Sequence, residues 1–190
     1  GHNGFPRMEI RTLGNNINIR NSNIYETNFI GSDTLNFDSS NLRGSLVNGS
    51  GTLAGLITIH DGNRLEGIIT NTGTLINQYK YTRTLDVYGK LINDGEIKSD
   101  ATNYNLDILL HGDLENNGIY NPNNTIFDNS ETTYLKQAAG KQFNGNFYPK
   151  DTGAVVELKS PVSFNNTTID GHDGFPRMEI RTLGNNINIR

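Results

Sequence analysis

The sequence predicts an all-β fold: a right-handed parallel β-helix, or β-solenoid, of about seven coils of roughly 22–31 residues in each 170-residue module. Three observations carry this. The two ends of the chain repeat each other, a shorter repeat runs inside the chain, and apolar residues alternate with polar ones within each short copy.

The end repeat sets the domain organisation. Residues 1–20 (GHNGFPRMEIRTLGNNINIR) and 171–190 (GHDGFPRMEIRTLGNNINIR) agree at 19 of 20 positions, differing only at Asn3 against Asp173. Self-similarity at a fixed spacing is the signature of a repeat architecture. Residues 1–170 are therefore one full module and 171–190 the start of the next, and a continuous solenoid is expected to run from one into the other.

The inner repeat sets the coil. Segments 43–48 (RGSLVN), 66–71 (EGIITN), 88–93 (YGKLIN) and 111–116 (HGDLEN) align. Sequence intervals of 23, 22 and 23 separate their glycines Gly44, Gly67, Gly89 and Gly112, and Asn48, Asn71, Asn93 and Asn116 share those intervals. A second glycine follows in each (Gly51, Gly73, Gly95, Gly118), one residue late in the first copy. The series of leading apolar positions is Ile19, Leu42, Leu65, Val87, Leu110, Leu135, Leu158 and Ile189.

Alternation supplies the strands. Leu85-Asp86-Val87, Val156-Glu157-Leu158 and Ile187-Asn188-Ile189 have period two, which is the strand period. Gly, Asn and Asp between these runs are turn residues. Short strands and turns recurring at this spacing predict coils of three faces, stacked in parallel register and right-handed. The leucine-rich-repeat pattern of similar period is absent. Leu46, Ile69, Leu91 and Leu114 are expected to form one inward column. The four glycines and four asparagines are expected to form neighbouring columns, the asparagines hydrogen-bonding as a ladder.

Composition agrees. Hydrophobic residues are 34% and glycine 21 of 190, which suits a thin core. Asn is abundant at 29. Cysteine is absent, the net charge is −4, and the 16 Lys and Arg form no basic stripe, which argues against nucleic acid as a partner. No apolar run reaches the length of a membrane span. With no signal-like opening and no initiating Met, the sequence reads as an internal segment.

Candidate sites are few. His60-Asp61 and His111-Gly112-Asp113 catch the eye, yet Asp38, Asp61, Asp86, Asp107 and Asp113 fall in different registers, whereas glycan chemistry needs convergent carboxylates. No catalytic residue is assigned. Calcium needs six to eight oxygens, and the glycine-rich calcium nonapeptide is missing. Asp86 and Asp107 are expected to stack about one strand spacing apart, but no metal and no cofactor is assigned. Thr70, Thr72 and Thr74 alternate without recurring in the next coils, so they make no repeated threonine face. The longest coil, from Leu158 to Ile189, must bulge from the wall. Its residues His172, Asp173, Phe175, Pro176 and Arg177, with His2, Phe5, Pro6 and Arg7 in the first copy, form a candidate surface-contact loop. A plug folded back over a turn is the plainer reading.

The segments LDVYGKLINDGEI, LEGIITNTGTL and LHGDLENNGIY resemble coils of bacterial secreted β-helix proteins of the haemagglutinin-like adhesin and autotransporter-passenger type. That resemblance implies an extracellular, cell-surface location, adhesion or filament formation, and no cofactor. The expected function is a structural, non-catalytic segment of a filament or stalk, partnered axially by further copies of the module. The alternatives are an adhesin shaft binding a surface or glycan through the loop at 170–178, and a polysaccharide-active β-helix enzyme.

Overall fold

Alternating residues cannot form a helix with a clean apolar stripe, but they can line one side of a strand. The computed structural model describes residues 8–12, 14–31, 34–100, 104–128, 131–150, 154–169 and 178–189. Among them there are 22 strands, all paired in parallel, and no helix. They stack as a β-solenoid of about seven turns.

Each turn has three faces. Strands of the first include Met8–Arg11, Thr27–Gly31, Leu106–Leu110, Asn124–Phe127 and Asn146–Pro149. The second holds Ile17–Arg20, Thr34–Asp38, Asp113–Asn116, Thr132–Gln137 and Ala154–Leu158. Leu46–Ala54, Asn63–Asn71 and Arg83–Asn93 run across the corner from the first face to the second. The third face runs from Asn23–Tyr25 through Leu56–Ile59, Thr74–Asn77 and Glu96–Ser99 to Ile119–Asn121. There Phe143 bridges Tyr120 to Phe164.

Partners in the ladders give the length of each turn. Ile10 pairs with Phe29, Phe29 with Val47 and Val47 with Leu65, so the numbering advances by 19, 18 and 18. Leu65 then pairs with Val87, Leu91 with Leu114, Leu114 with Leu135, Leu135 with Leu158 and Val156 with Ile180, advances of 22, 23, 21, 23 and 24. The first turns are narrow and the later ones wide.

Inward residues of successive turns stack into columns. Phe29, Val47, Leu65, Val87 and Leu110 form one, all at most 4% exposed. Ile69, Leu91, Leu114, Leu135 and Leu158 form another. Each fully buried side chain of this size contributes about 1.5–3 kcal/mol.

The narrow turns correct the sequence alignment of its first copy. Leu46 is only half-buried and pairs with Arg64, while Val47 takes the core position. Asn48 pairs with Glu66, and the residue under Asn71 is Leu53. Gly44 lies instead against Gly62, and Gly49 is the residue that stacks on Gly67. Ile19 pairs with Phe37, and Leu42 lies on the third face beside Ile24 and Ile59. Leu110 pairs with Phe127, not Leu135. The apparent insertion before Gly51 is the mark of a turn with period 18 aligned at 23. The spacing that survives is Gly-x5-Gly: 49 and 55, 67 and 73, 89 and 95, 112 and 118.

Gly49, Gly67, Gly89 and Gly112 are glycine for a steric reason. A Cβ on Gly67 would lie 2.2 Å from the Gly49 carbonyl oxygen, and one on Gly89 would lie 2.3 Å from that of Gly67. The backbone crosses this corner too closely for any side chain.

Both copies of the end repeat form strands, Met8–Arg11 and Met178–Arg181, and these close the two ends of one strand path. The glycine column begins at Thr12 beneath Gly31 and runs through Gly112, Thr133 and Val156 to Ile180. Ile10 belongs to the Phe29 column, two residues earlier. The second copy thus meets this path two residues out of phase with the first and one face further round. Met178–Arg181 pairs with Ala154–Leu158 on the second face and Ile187–Ile189 with Val162–Phe164 on the third, whereas Met8–Arg11 and Ile17–Arg20 lie on the first and second. Two is one strand period, so the same side chains still face inward.

Candidate functional site

His172, Asp173, Phe175, Pro176 and Arg177 lie outside the described residues, as do His2, Phe5, Pro6 and Arg7. Of the other residues singled out in the sequence, Asn71, Asn93 and Asn116 form a buried ladder, and His60, Asp61, Asp86 and His111 fall at two outer corners.

The ladder stands where the second face turns into the third. Asn71 Nδ2 donates to Asn93 Oδ1 at 2.8 Å, and Asn93 Nδ2 to Asn116 Oδ1 at 2.9 Å. All three residues are fully buried. Each also serves the corner backbone. Asn71 Nδ2 donates to the carbonyls of Gly73 and Glu96, Asn93 Nδ2 to that of Ile119, and Asn116 Nδ2 to that of Gln142. The Gly73 and Gly118 amides donate back to Asn71 and Asn116. A buried amide is stable only when its donors and acceptors are met, and here they are met by the turn below, its own turn and the turn above. Gln137 follows in the column, donating to the Lys141 carbonyl and accepting from the Ser163 amide. Asn48 is not in this column.

One outer corner stands between the third and first faces of the narrow turns. His60 packs edge-on against Tyr79 with ring centroids 4.3 Å apart. Burial, and then the Arg83 charge, push the His60 imidazole below its ordinary pKa. Arg83 Nη1 reaches both carboxylate oxygens of Asp61, at 2.8 and 3.0 Å. Asp61 is held by this arginine.

The other outer corner stands between the first and second faces, higher up. Arg64 lies 3.7 Å over the Tyr88 ring, and His111 stacks on the far side of Tyr88, centroids 3.8 Å apart and planes 8° from parallel. His111 Nε2 is 3.7 Å from Asp128, which pairs with Lys150 at 2.7 Å. Burial raises the Asp86 carboxyl above its usual range, opposed by the nearby charges of His111 and Arg64. His60 and His111 therefore belong to different corners. Sequence reasoning missed the second cluster. Its signal is the spacing of Glu66, Tyr88 and His111, which recur at intervals of 22 and 23 and share one register.

Among the described residues the acids do not converge on one reacting point. Asp86 pairs with Leu109 and Asp107 with Thr84, so the expected Asp86–Asp107 stack does not form. Asp107 accepts from Asn123 and Asn124 at 3.1 and 2.9 Å, and its carboxyl is raised by burial against those hydrogen bonds. Asp113 accepts from the Tyr134 amide. Glu115 is gripped by Lys90 and Lys136 at 2.7 and 2.8 Å, and its pKa falls to about 2 through those hydrogen bonds, Lys136 first. Among the described residues no three His, Asp or Glu side chains are grouped as a metal site would need, and no helix is long and apolar enough to cross a membrane.

Comparisons with protein-family models, with curated proteins and with solved structures find no match to this chain.

Proposed function

We propose that this chain is a structural, non-catalytic segment of an extracellular bacterial filament or stalk, in which near-identical modules continue one another axially. The observation that carries the reading is the end repeat, identical at 19 of 20 positions. Its two copies form the first and last strands of one sheet path, with Ile10 and Ile180 both turned toward the core. The second copy offers the same strands one face further round than the first, so a following module would continue the stack rotated by one face. Solenoid stability is a sum of turn and neighbour terms, so a module added end to end gains what an internal turn gains.

The disposition of the acids supports the non-catalytic part. Asp61, Asp107 and Glu115 are each held by arginine, asparagine or lysine partners. Those pairs tie one turn to the next, which serves a rod.

The test is electron microscopy of purified chains carrying one, two and three full modules. Each added module is expected to lengthen an unbranched rod by seven or eight strand spacings, roughly 34–38 Å. Compact particles, or a length that does not grow by a fixed increment, would end the rod reading. Release of products from neutral or acidic polysaccharides, lost in Asp61→Asn or Asp86→Asn, would overturn the non-catalytic part.

A further inference from the structure

At the corner between the third and first faces, three successive narrow turns pass through Glu26, Gly44 and Gly62, with φ of 47°, 61° and 72°. All three are left-handed, and two carry no side chain. The wall is indented there. A groove of about 410 Å³ is lined by Tyr25, Glu26, Arg43, Gly44, Asp61 and Gly62, a volume within the range of about 300–1,000 Å³ for ligand clefts. The neighbouring loop at 78–82 is pinned. Buried Asn77 donates to the Tyr81 carbonyl and accepts from the Tyr79 amide, both at 2.8 Å.

We infer that this groove binds an uncharged oligosaccharide. A sugar presents hydroxyls that both donate and accept, and ring faces of C–H groups. The groove offers carboxylate acceptors on Glu26 and Asp61, guanidinium donors on Arg43, and the ring of Tyr25, a residue 59% exposed. Tyr81, 67% exposed, stands beside Arg83. Charge selects the neutral ligand: Asp61 is already paired with Arg83, and Glu26 and Arg43 offset each other. An extended peptide is not the match, because backbone groups at this corner are taken. The Glu26 amide donates to the Arg43 carbonyl at 2.9 Å and the Gly44 amide to that of Asp61 at 2.7 Å.

Glu26 adds a separate argument. Its place in the next two turns is held by glycine, the residue suited to left-handed φ. A glutamate here keeps a carboxylate on the groove against its backbone preference, a pattern that points to function when the outlier borders a cleft. The inference is independent of the rod reading, since a rod stands with or without it.

The experiment follows the amide resonances of Gly44 and Gly62 in the full chain during titration with cellohexaose, maltohexaose, xylohexaose and hexagalacturonate. Saturable shifts with at least one neutral hexamer are expected. Tyr25→Ala is expected to weaken binding at least tenfold. Glu26→Gly is expected to weaken it similarly while raising the thermal midpoint, which separates the ligand role from a structural one. The inference is overturned if no neutral hexamer shifts these amides, if only hexagalacturonate does, or if both variants bind like the parent chain.

Discussion

The narrow turns and the wide turns solve the same packing problem with opposite columns. One inward column runs Thr27, Ser45, Asn63, Leu85, Ile108. It is polar in the narrow turns and apolar at Leu85 and Ile108, before Thr125 follows, buried and hydrogen-bonded to the Tyr120 hydroxyl. Another runs Leu35, Leu53, Asn71, Asn93, Asn116 and changes the other way. Both changes occur across a single strand, Asn63–Asn71, which carries one asparagine at each end. The reason lies at the corners. In narrow turns the third face meets the first through a tight left-handed turn, and Asn63 satisfies the carbonyls of Leu42 and His60 at 2.7 and 3.0 Å and the Ser45 amide at 3.1 Å. Wide turns spend extra residues at that corner, such as the loop at 78–82, and Leu85 and Ile108 then fill a dry position. The asparagines move to the opposite corner, where Gly73 and Gly118 leave backbone groups to be met. The buried asparagines of these two columns therefore mark where the chain turns sharply. The wider section also admits larger side chains: Tyr120, Phe127, Phe143, Phe147 and Phe164 pack there with centroids between 5.2 and 6.4 Å apart.

If the two regions are distinct cooperative units, a severe lesion in one should spare the other. Leu91 is fully buried at the centre of the wide stack. Leu91→Asp places an unpaired charge there, at a cost above about 4–5 kcal/mol. Hydrogen exchange should show protection lost at Leu65, Val87 and Leu114 and retained around Phe29 and Val47. Loss of protection through the narrow turns as well would break the distinction.

A second lesion tests the glycine column against a glycine that stands apart. Gly89→Ala drives a Cβ to 2.3 Å from the Gly67 carbonyl oxygen, whereas a Cβ on Gly140 meets nothing within 4 Å and suffers only from its φ of 77°. The first is expected to destabilise by about 3 kcal/mol or more and the second by about 1–2 kcal/mol. Denaturant midpoints of the two variants decide it, and equal values would remove the column's steric role.

These contrasts mark what was legible in the sequence. The strand period, the three-faced coil and the columns through Ile69, Leu91 and Leu114 followed from alternation and from copies recurring at intervals of 22 and 23. The narrow turns did not. Gly44 and Asn48 imitate that repeat, while the chain closes its turn at an interval of 18, as from Thr27 to Ser45. Perimeter is set by corner geometry, and a Gly-Ser or Asp-Gly corner leaves no periodic apolar mark. The outer clusters were hidden for a related reason: Arg64, Tyr88 and His111 meet through side-chain reach across turns, not through a shared residue type. The candidate contact loop, read from the sequence beside the plainer alternative of a folded-back plug, falls at 170–177 outside the described residues.

The ladder provides a third test. Asn71→Leu installs in the first wide turn the residue type that Leu53 supplies below it. By packing alone the change is mild. Yet it removes the donor to Asn93 Oδ1 and to the Glu96 carbonyl, and one of the two acceptors of the Gly73 amide. Buried unmet groups make the expected loss about 2–3 kcal/mol. A loss below about 0.5 kcal/mol would mean that the ladder merely fills space.

The smallest expected effect is on the outer surface of the wide turns, where Glu115 joins three turns through Lys90 and Lys136. Its folded pKa of about 2 lies below the ordinary value of 4.5. A carboxylate depressed in this way stabilises the fold fully above its unfolded pKa and loses that contribution as pH falls through the folded one. The window is therefore about pH 4.5 down to about pH 2. Lys90 and Lys136 are 36% and 53% exposed, so solvent screens the pairs and the loss is nearer about 1 kcal/mol than the full shift implies. Glu115→Gln should lower stability by that amount at pH 7 and by almost nothing at pH 2. The narrow turns supply the control: Asp61→Asn, which breaks the Arg83 pair at a more exposed carboxylate, should cost less at pH 7. Thermal midpoints of the parent and both variants at the two pH values give the answer. A Glu115→Gln penalty that persists unchanged at pH 2 would show that its packing, and not its charge, links the turns.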